Sequence, residues 1–202
     1  MSASEDCPNT SQPSLLPTIS PFPTSYCGPG TILLPNGNCG DCPAGKISNS
    51  SDNYNWAFGC ANCPAGYYSH RAAESCTACP SGTFASQKGT ANCTFCDAGK
   101  ASSAVAATQN STCEICRYGK YSGSAAAICT LCPSGTYNDD LATNAAEHDA
   151  LADCTSCGSG TVSTAERISC SSCPAGTFVN VSLSMCVNCT RGYYAPVSAR
   201  VT

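Results

Sequence analysis

Cysteine pairs with the spacing C-x-x-C are the residues of this sequence with the clearest chemical potential. They occur nine times, beginning at positions 39, 60, 76, 93, 113, 129, 154, 170 and 186, and they include 18 of the 20 cysteines. Such pairs suit three kinds of chemistry, namely disulfide cross-linking, zinc binding by four thiolates, and dithiol redox exchange. The residues around each pair decide between them.

A repeated pattern follows the second Cys of every pair. Gly stands three residues after it, and a residue suited to a strand usually stands two positions further on, as in Cys63-Pro64-Ala65-Gly66-Tyr67-Tyr68. Pro restricts the backbone after Cys, and Gly permits the positive φ of a tight turn. Cys27 begins the same pattern without a preceding partner. The pattern predicts short irregular β-hairpins, each with an aromatic or apolar residue that covers a disulfide.

Composition explains why such units need cross-links. Leu, Ile, Val and Phe together number 26 of the 202 residues. This is too few for one hydrophobic core to offset a backbone ordering cost of about 1–2 kcal/mol per residue. Cystine therefore has to replace the core. Because disulfides on this scale form in oxidising compartments, the sequence predicts an extracellular protein, secreted or at the cell surface.

Charge and hydropathy exclude several classes of protein. Charged residues make up 11% of the chain, the net charge is −4, and no basic stripe is present, so we expect no nucleic-acid partner. The longest apolar runs, such as Ile32–Leu34, are far shorter than a bilayer span, so we expect no membrane span within the chain. The residues after Met1 form no secretory signal, which suggests a mature or excised portion of a protein.

Metal, redox and catalytic chemistry fit the sequence less well than cross-linking does. Nine pairs cannot be grouped evenly by fours and the chain has two histidines, so we expect no metal site. No βαβ pattern surrounds the pairs, which argues against a redox motif. The sequence has no nucleophile elbow, no zinc-protease helix and no phosphate loop, so we expect no catalytic residue, no enzymatic activity and no cofactor.

The C-P-x-G-x-aromatic pattern, followed by C-x-x-C, resembles the ephrin-receptor-like cysteine-rich repeat. It is more distantly similar to the first half-module of tumour necrosis factor receptor domains. The likeness extends from residue 27 to residue 194. In the resembled half-module the Cys before P-x-G closes onto the next Cys downstream. The resemblance therefore implies the pairs Cys27–Cys39, Cys42–Cys60, Cys63–Cys76, Cys79–Cys93, Cys96–Cys113, Cys116–Cys129, Cys132–Cys154, Cys157–Cys170 and Cys173–Cys186. The rival scheme interlaces first with first and second with second across adjacent pairs.

The predicted fold class is an array of small disulfide-rich repeats. It forms an elongated rod of short irregular β-hairpins, with little helix and no single hydrophobic core. We expect each loop to touch only its neighbours. The predicted domains are a Pro/Ser/Thr-rich N-terminal arm at residues 1–26, nine disulfide-closed repeats at 27–188, and the start of an incomplete tenth repeat at 189–202.

Two cysteines, Cys7 and Cys189, remain outside the implied pairs. Three explanations stay open: truncation of a longer repeat protein, a disulfide between Cys7 of one chain and Cys189 of another, and an internal bond between the two. An intermolecular bond would join copies head to tail and propagate into a filament. The arm has the composition of an extended polyproline-like linker, and its apolar residues suit docking on a neighbouring subunit as the alternative.

Two loops carry further candidates. The loop between Cys132 and Cys154 is rich in acidic residues, which suit either calcium binding or a short helix. We favour the helix, capped by Asp139 or Asp140, with Leu141 and Leu151 facing the rod. In the loop before Cys60, Tyr54, Trp56 and Phe58 alternate, and we expect them to cover a disulfide rather than to bind a ligand.

Six N-glycosylation sequons are present, and covalent glycans are the modification that we expect. They begin at Asn9, Asn49, Asn92, Asn110, Asn180 and Asn188. The sequence as a whole predicts a non-enzymatic extracellular structural glycoprotein that self-associates into a filament or surface coat through its arm and terminal cysteines. The alternative is a ligand-binding ectodomain fragment of a larger cysteine-rich receptor or matrix protein.

Overall fold

Nine disulfides organise the chain in a computed structural model that describes residues 27–48 and 59–193. We number the repeats 1 to 9 by these bonds. They are Cys27–Cys39, Cys42–Cys60, Cys63–Cys76, Cys79–Cys93, Cys96–Cys113, Cys116–Cys129, Cys132–Cys154, Cys157–Cys170 and Cys173–Cys186. The nine pairs coincide with those that the resemblance implies. None is interlaced, because each Cys that precedes a Gly turn closes onto the next Cys downstream.

Each repeat contains one two-stranded antiparallel hairpin, and no strand of one hairpin pairs with a strand of another within the described residues. The strands are β1 Thr31–Leu33, β2 Cys39–Asp41, β3 Lys46–Ile47, β4 Ala61–Asn62, β5 Tyr67–Tyr68, β6 Thr77–Ala78, β7 Thr83–Phe84, β8 Thr94–Phe95, β9 Lys100–Ala101, β10 Glu114–Ile115, β11 Lys120–Tyr121, β12 Thr130–Leu131, β13 Thr136–Tyr137, β14 Thr155–Ser156, β15 Thr161–Ser163, β16 Cys170–Ser172, β17 Thr177–Asn180 and β18 Met185–Asn188. Three 3₁₀ helices complete the regular structure: Asn110–Thr112, Ala145–Glu147 and Leu151–Asp153. The fold class is therefore the predicted array of small disulfide-rich hairpins with little helix.

The Gly turn begins each hairpin for a local physical reason. In repeat 3, Gly66 has a φ of +83°, which costs Gly little and costs other residues more. Tyr67 then donates its N–H to the carbonyl of Pro64, which closes the turn. The chain enters β5, where Tyr67 pairs with Ala78 and Tyr68 with Thr77, between the two cysteines of the next pair.

Cystine sulfur occupies the position of a core. The Cys that opens a repeat is fully buried in repeats 2 to 5, at Cys42, Cys63, Cys79 and Cys96. In one place an aromatic ring joins this core: Phe84 of repeat 4 packs in one buried cluster with Cys96, Cys113 and Ala107 of repeat 5. The ring thus covers the disulfide of the following repeat, as the sequence pattern suggests.

No helix in the described part of the chain is long and apolar enough to cross a membrane.

Candidate functional site

The joints between successive repeats are the most regular feature of the structure. In repeats 1 to 6 the amide of the Gly turn donates to the main-chain oxygen three residues after the Gly of the next repeat, as Gly45 does to Ser69 at 2.8 Å. The same bond joins Gly30 to Ser48, Gly66 to Ala85, Gly82 to Ser102, Gly99 to Ser122 and Gly119 to Asn138. These bonds satisfy polar groups that the thin repeats would otherwise leave without partners.

The carbonyl of each Gly turn is also used by the next repeat. Gly45 accepts from the amide of Cys63 at 2.9 Å, and Gly66 accepts from Cys79 at 2.9 Å. An equivalent bond is present at all nine turns from Gly30 to Gly176, the last accepting from Cys189. In repeats 1 to 6 the amide and the carbonyl of the Gly turn therefore both bind the repeat that follows, and the carbonyl bond continues this hydrogen-bonded ladder to Gly176.

Contacts between repeats reach one repeat further than the sequence predicts. A Cβ built on Gly66 of repeat 3 would lie 2.3 Å from the carbonyl oxygen of Ala106 in repeat 5. The same close approach, at 1.9 to 2.2 Å, joins Gly30 to Ala72, Gly45 to Gly89, Gly82 to Ala125, Gly99 to Ala145 and Gly119 to Glu166. The expectation that each loop touches only its neighbours is therefore wrong. Each of these loops folds back over the Gly turn two repeats earlier, so these turns admit no side chain.

A third position of the repeat, three residues after the Gly, was missed by the sequence analysis. Its residues are Ser48, Ser69, Ala85, Ser102, Ser122, Asn138, Ser163 and Val179. Ser69 and Ser122 are 2% and 3% exposed, and their hydroxyls donate to the carbonyls of Lys46 and Lys100 at 3.0 Å. A small, mostly polar residue three positions after the Gly of repeats 2 to 8 is the signal that reveals this position.

The loops that fold back also hydrogen-bond to the strand of the preceding repeat. Ala85 donates its N–H to the carbonyl of Ala107 at 3.0 Å, beside a parallel bridge between Phe84 and Ala107. Parallel bridges also join Ile47 to Ala73, Tyr68 to Thr90 and Ala101 to Ala126. In this part of the array, each hairpin is closed by its own disulfide and is bound by main-chain hydrogen bonds to the repeats before and after it.

The acidic loop of repeat 7 differs from its prediction. Two separate 3₁₀ helices replace the expected helix, and the side chain of Asn144 caps the first. Leu141 and Leu151 are 74% and 53% exposed, so the prediction that they face the rod is wrong. The physical reason is that the loop folds around His148, which is fully buried.

Buried His148 forms a polar pair with the partly exposed Asp140. Nε2 of His148 lies 3.0 Å from Oδ2 of Asp140, and Nδ1 lies 2.7 Å from the carbonyl oxygen of Lys120 in repeat 6. The hydroxyl and amide of Thr143, the ring of His148 and the amide of Asn144 donate to the Asp140 carboxylate. These bonds, the Thr143 hydroxyl first among them, hold the pKa of Asp140 well below its usual range, although partial burial opposes the shift.

The carboxylates of this loop are already used by the loop itself. Asp140 caps the turn at Thr143, and Oδ2 of Asp153 accepts the amide of Ala150 at 2.8 Å. Across residues 27–48 and 59–193, no three His, Cys, Asp or Glu side chains stand close enough to hold a metal ion. The arrangement supports loop closure rather than calcium binding.

The other candidate residues are distributed along the array. Asn92, Asn110 and Asn188 are exposed, and Asn180 is half-buried with its side chain accepting the amide of Leu183 at 3.0 Å. Cys189 is half-buried and free. Cys7, Asn9, Asn49 and the aromatic residues Tyr54, Trp56 and Phe58 lie outside the described residues.

A shallow cleft lies among repeats 7, 8 and 9. Gly135, Gly160, Thr161 and Val179 line it together with Cys157, whose sulfur is held in a disulfide and does not titrate. The hydroxyls of the cleft, from Ser159, Thr161 and Ser184, have no general base beside them in this lining.

Parts of this chain are similar to one known protein family and to two longer proteins. The family described as "Tyrosine-protein kinase ephrin type A/B receptor-like" matches residues 66–113, which run from the Gly turn of repeat 3 to the closing Cys of repeat 5. The mouse (Mus musculus) "Signal peptide, CUB and EGF-like domain-containing protein 2" is 31% identical over 105 residues, 50% of this chain and 10% of the relative. Its human (Homo sapiens) counterpart is 30% identical over the same shares. The match thus covers about a tenth of the length of these relatives.

Proposed function

We propose that this chain is a non-enzymatic extracellular structural glycoprotein, a rod-like subunit of a filament or surface coat. The observation that carries the proposal is the ladder of bonds from each Gly turn to the next repeat. Because each repeat is bound to the next by main-chain bonds and closed by its own disulfide, the array resists bending and pulling along its length. This is the behaviour that a mechanical spacer requires.

An extracellular location follows from the same chemistry. Nine disulfides persist in oxidising compartments and are reduced in the cytosol. Exposed Asn92, Asn110 and Asn188 give an N-glycosylation enzyme access to their sequons. Attached glycans would hydrate a surface with few charged residues. Mass spectrometry of deglycosylated peptides from secreted material is expected to find modification at these three sites.

Joining of copies is assigned to the N-terminal arm and to the two cysteines outside the nine pairs. Cys189 has a free thiol in the structure, and its amide is held on the Gly176 carbonyl at 2.9 Å. A disulfide between Cys189 and Cys7 of another copy would extend the rod head to tail. Bond formation releases two electrons and two protons to an oxidant such as a secretory-pathway disulfide.

Peptide mapping of the native material under non-reducing conditions tests the joining step. The expected result is a Cys7–Cys189 peptide that links two chains, together with fibres whose abundance rises with protein concentration. A Cys189→Ser variant is the control, since it removes the thiol and leaves all nine pairs intact. A protein that stays monomeric at high concentration, with Cys189 free or bonded within its own chain, would contradict the filament role.

The second candidate is a segment of a larger cysteine-rich receptor or matrix protein that presents a ligand-binding face. It is favoured by the match to a short part of much longer relatives, whose printed names include CUB and EGF-like domains. This candidate predicts a monodisperse monomer that captures a soluble protein ligand from extracellular fluid. Light scattering at increasing concentration separates it from the filament subunit.

A further inference from the structure

Serine hydroxyls form hydrogen bonds across two of the joints between repeats. At the joint between repeats 2 and 3, the hydroxyl of Ser69 donates to the carbonyl of Lys46 at 3.0 Å. At the joint between repeats 5 and 6, Ser122 donates to the carbonyl of Lys100 at the same distance. In both cases the acceptor is the residue directly after the Gly turn, and the donor stands three residues after the next Gly.

The joint between repeats 6 and 7 uses a histidine instead. The residue at the serine position is Asn138, whose side-chain amide donates to the carbonyl of Glu147 at 2.6 Å. The carbonyl of Lys120, which corresponds to those of Lys46 and Lys100, is bound by Nδ1 of His148 at 2.7 Å. A titratable ring has therefore taken the place of a hydroxyl that does not titrate.

The two nearest partners of the His148 ring both accept hydrogen bonds, while the Asn138 side-chain amide, a donor, lies further away at 3.4 Å from Nδ1. A main-chain carbonyl has no proton to donate, and an ionised carboxylate has none either. Nδ1 faces the Lys120 carbonyl at 2.7 Å and Nε2 faces the Asp140 carboxylate at 3.0 Å, so both contacts are hydrogen bonds only when both nitrogens carry a proton. The side chain of His148 has no exposed surface, so water cannot replace either partner.

We propose that His148 makes the joint between repeats 6 and 7 sensitive to pH. The protonated ring binds the loop of residues 139–153 to repeat 6 through its hydrogen bond to the Lys120 carbonyl. Loss of one ring proton to solvent leaves a nitrogen lone pair facing an oxygen lone pair, at Lys120 or at Asp140. In the neutral ring, the Asn138 amide, 3.4 Å from Nδ1, becomes the remaining donor, and the Lys120 carbonyl loses its own. The joint is therefore tight when the ring is charged and looser when it is neutral.

The surroundings of the ring contain one charged partner. Asp140 is the carboxylate that contacts it, while the neighbouring Asp139, Glu147 and Asp149 have exposed side chains. On repeat 6, Lys120 contributes its carbonyl and has an exposed side chain, and the next residue, Tyr121, is half-buried. Tyr137, on the strand that leads into the loop, is also half-buried.

The sign of the pH effect follows from these groups. Hydrogen bonds from Thr143 lower the pKa of Asp140, so this carboxylate stays ionised throughout the range in which imidazoles titrate. Protonation of the His148 ring forms both hydrogen bonds and loss of a proton breaks one of them, so the attachment of the loop to repeat 6 is expected to weaken as the pH rises.

Two measurements on the intact chain test this proposal. NMR titration of the ring protons compares His148 with exposed His70, an internal reference whose ring meets that of Tyr68 edge-on. Hydrogen exchange compares the Ser122 amide, bonded to the carbonyl of His148, with the Ser102 amide, which makes the equivalent bond to Ala126 one joint earlier. We expect the ring shifts of His148 and the protection of the Ser122 amide to change over the same pH interval. We also expect the Ser122 amide to be at least tenfold more protected at pH 5 than at pH 8, after correction for intrinsic exchange, with no such change at Ser102.

Two variants separate the charge from the packing. In His148→Gln, an uncharged donor remains, so the protection of the Ser122 amide should no longer depend on pH. In Asp140→Asn, Nε2 of His148 loses its negatively charged partner, so the protection of the Ser122 amide at pH 5 should fall. Non-reducing peptide mapping verifies that each variant retains its nine disulfides. The proposal is overturned if the ring shifts of His148 and the protection of the Ser122 amide do not change between pH 5 and pH 8. It is equally overturned if the protection of Ser122 changes with pH to the same extent in His148→Gln.

Discussion

At the scale of single residues, Gly has two roles in the repeat that one substitution can separate. The first is conformational, because the turn has a positive φ. The second is steric, because a carbonyl from two repeats downstream occupies the space of a Cβ. The sequence indicates the first role through the regular C-x-x-G spacing. It does not indicate the second, which depends on how a distant loop folds back.

The two roles can be compared at Gly66 and Gly176, which share the local sequence C-P-A-G and φ values of +83° and +81°. A Cβ at Gly66 would clash with Ala106, while a Cβ at Gly176 would meet nothing within 4 Å. Gly66→Ala and Gly176→Ala should share a left-handed backbone cost of about 1–2 kcal/mol. Gly66→Ala should lose about 1–3 kcal/mol more from overpacking. Denaturant unfolding with intact disulfides measures the difference, and equal losses at the two sites would contradict the steric role.

Asp140 gives a second residue-scale prediction, on the acid side of the pH range. Because the pKa of Asp140 in the folded chain lies below its ordinary value of 3.8, its contribution to stability is complete above about pH 4. It declines as the pH falls further and the carboxylate gains a proton. We expect the free energy of unfolding, measured with denaturant and intact disulfides, to fall between pH 4 and pH 2, because the unfolded chain binds a proton there that Asp140 of the folded chain does not. Asp140→Asn should remove this acid-dependent change, whereas Asp139→Asn, at an exposed neighbour, should retain it.

At the scale of elements, the hairpins are too short to be stable alone. Six of the nine have strands of two residues, and isolated two-stranded hairpins are marginal in water even when longer. Each is stabilised by its disulfide and by the bonds that its Gly turn and loop make with adjacent repeats. The stability of each hairpin therefore depends on its contacts with adjacent repeats as much as on its own sequence.

Removal of one disulfide tests this dependence on the joints. Cys116→Ala with Cys129→Ala opens the loop of repeat 6, whose cysteines are 13 residues apart. A loss of about 2–4 kcal/mol is expected, because the unfolded loop gains conformational freedom. Hydrogen exchange should rise in repeat 6 and in the amides of repeats 4, 5 and 7 that contact it. Cys189→Ala, which breaks no bond, is the control, and exchange that rises only within repeat 6 would show that the joints do not couple repeats.

The same scale shows what the sequence was able to predict. The hairpins and their boundaries can be predicted from the sequence. The positive φ of the Gly turn sets where the first strand starts, and the next C-x-x-C pair sets where the second strand lies. The loop of repeat 7 does not follow, because its 3₁₀ helices depend on burial of His148 against Lys120 in another repeat. Acidic and Ala-rich composition favours a helix locally, and this long-range contact outweighs it. The position of Ser69 and Ser122 was readable from the repeat, but its role required the neighbouring strand.

At the scale of the whole molecule, cross-links and main-chain bonds take the place of a hydrophobic core. The buried apolar residues are mainly cysteines, and large apolar side chains such as Phe95, Ile128 and Leu141 are more than half exposed. Each repeat is coupled to the next two, so disturbance at one point spreads over a short distance and then stops. Stability of this kind scales with the number of repeats rather than with the volume of one core.

Reduction of the intact array provides the whole-molecule prediction. A thiol reductant should abolish the fold, because the 26 Leu, Ile, Val and Phe residues cannot offset the ordering cost once the unfolded chain is no longer cross-linked. NMR amide dispersion and hydrogen exchange should both collapse to the values of an unfolded chain. Addition of Zn²⁺ to the reduced chain distinguishes cystine from thiolate–metal sites, since folding driven by zinc would restore the dispersion. We expect no recovery with Zn²⁺ and recovery upon reoxidation, because the joints that order the hairpins require cysteines paired along the chain.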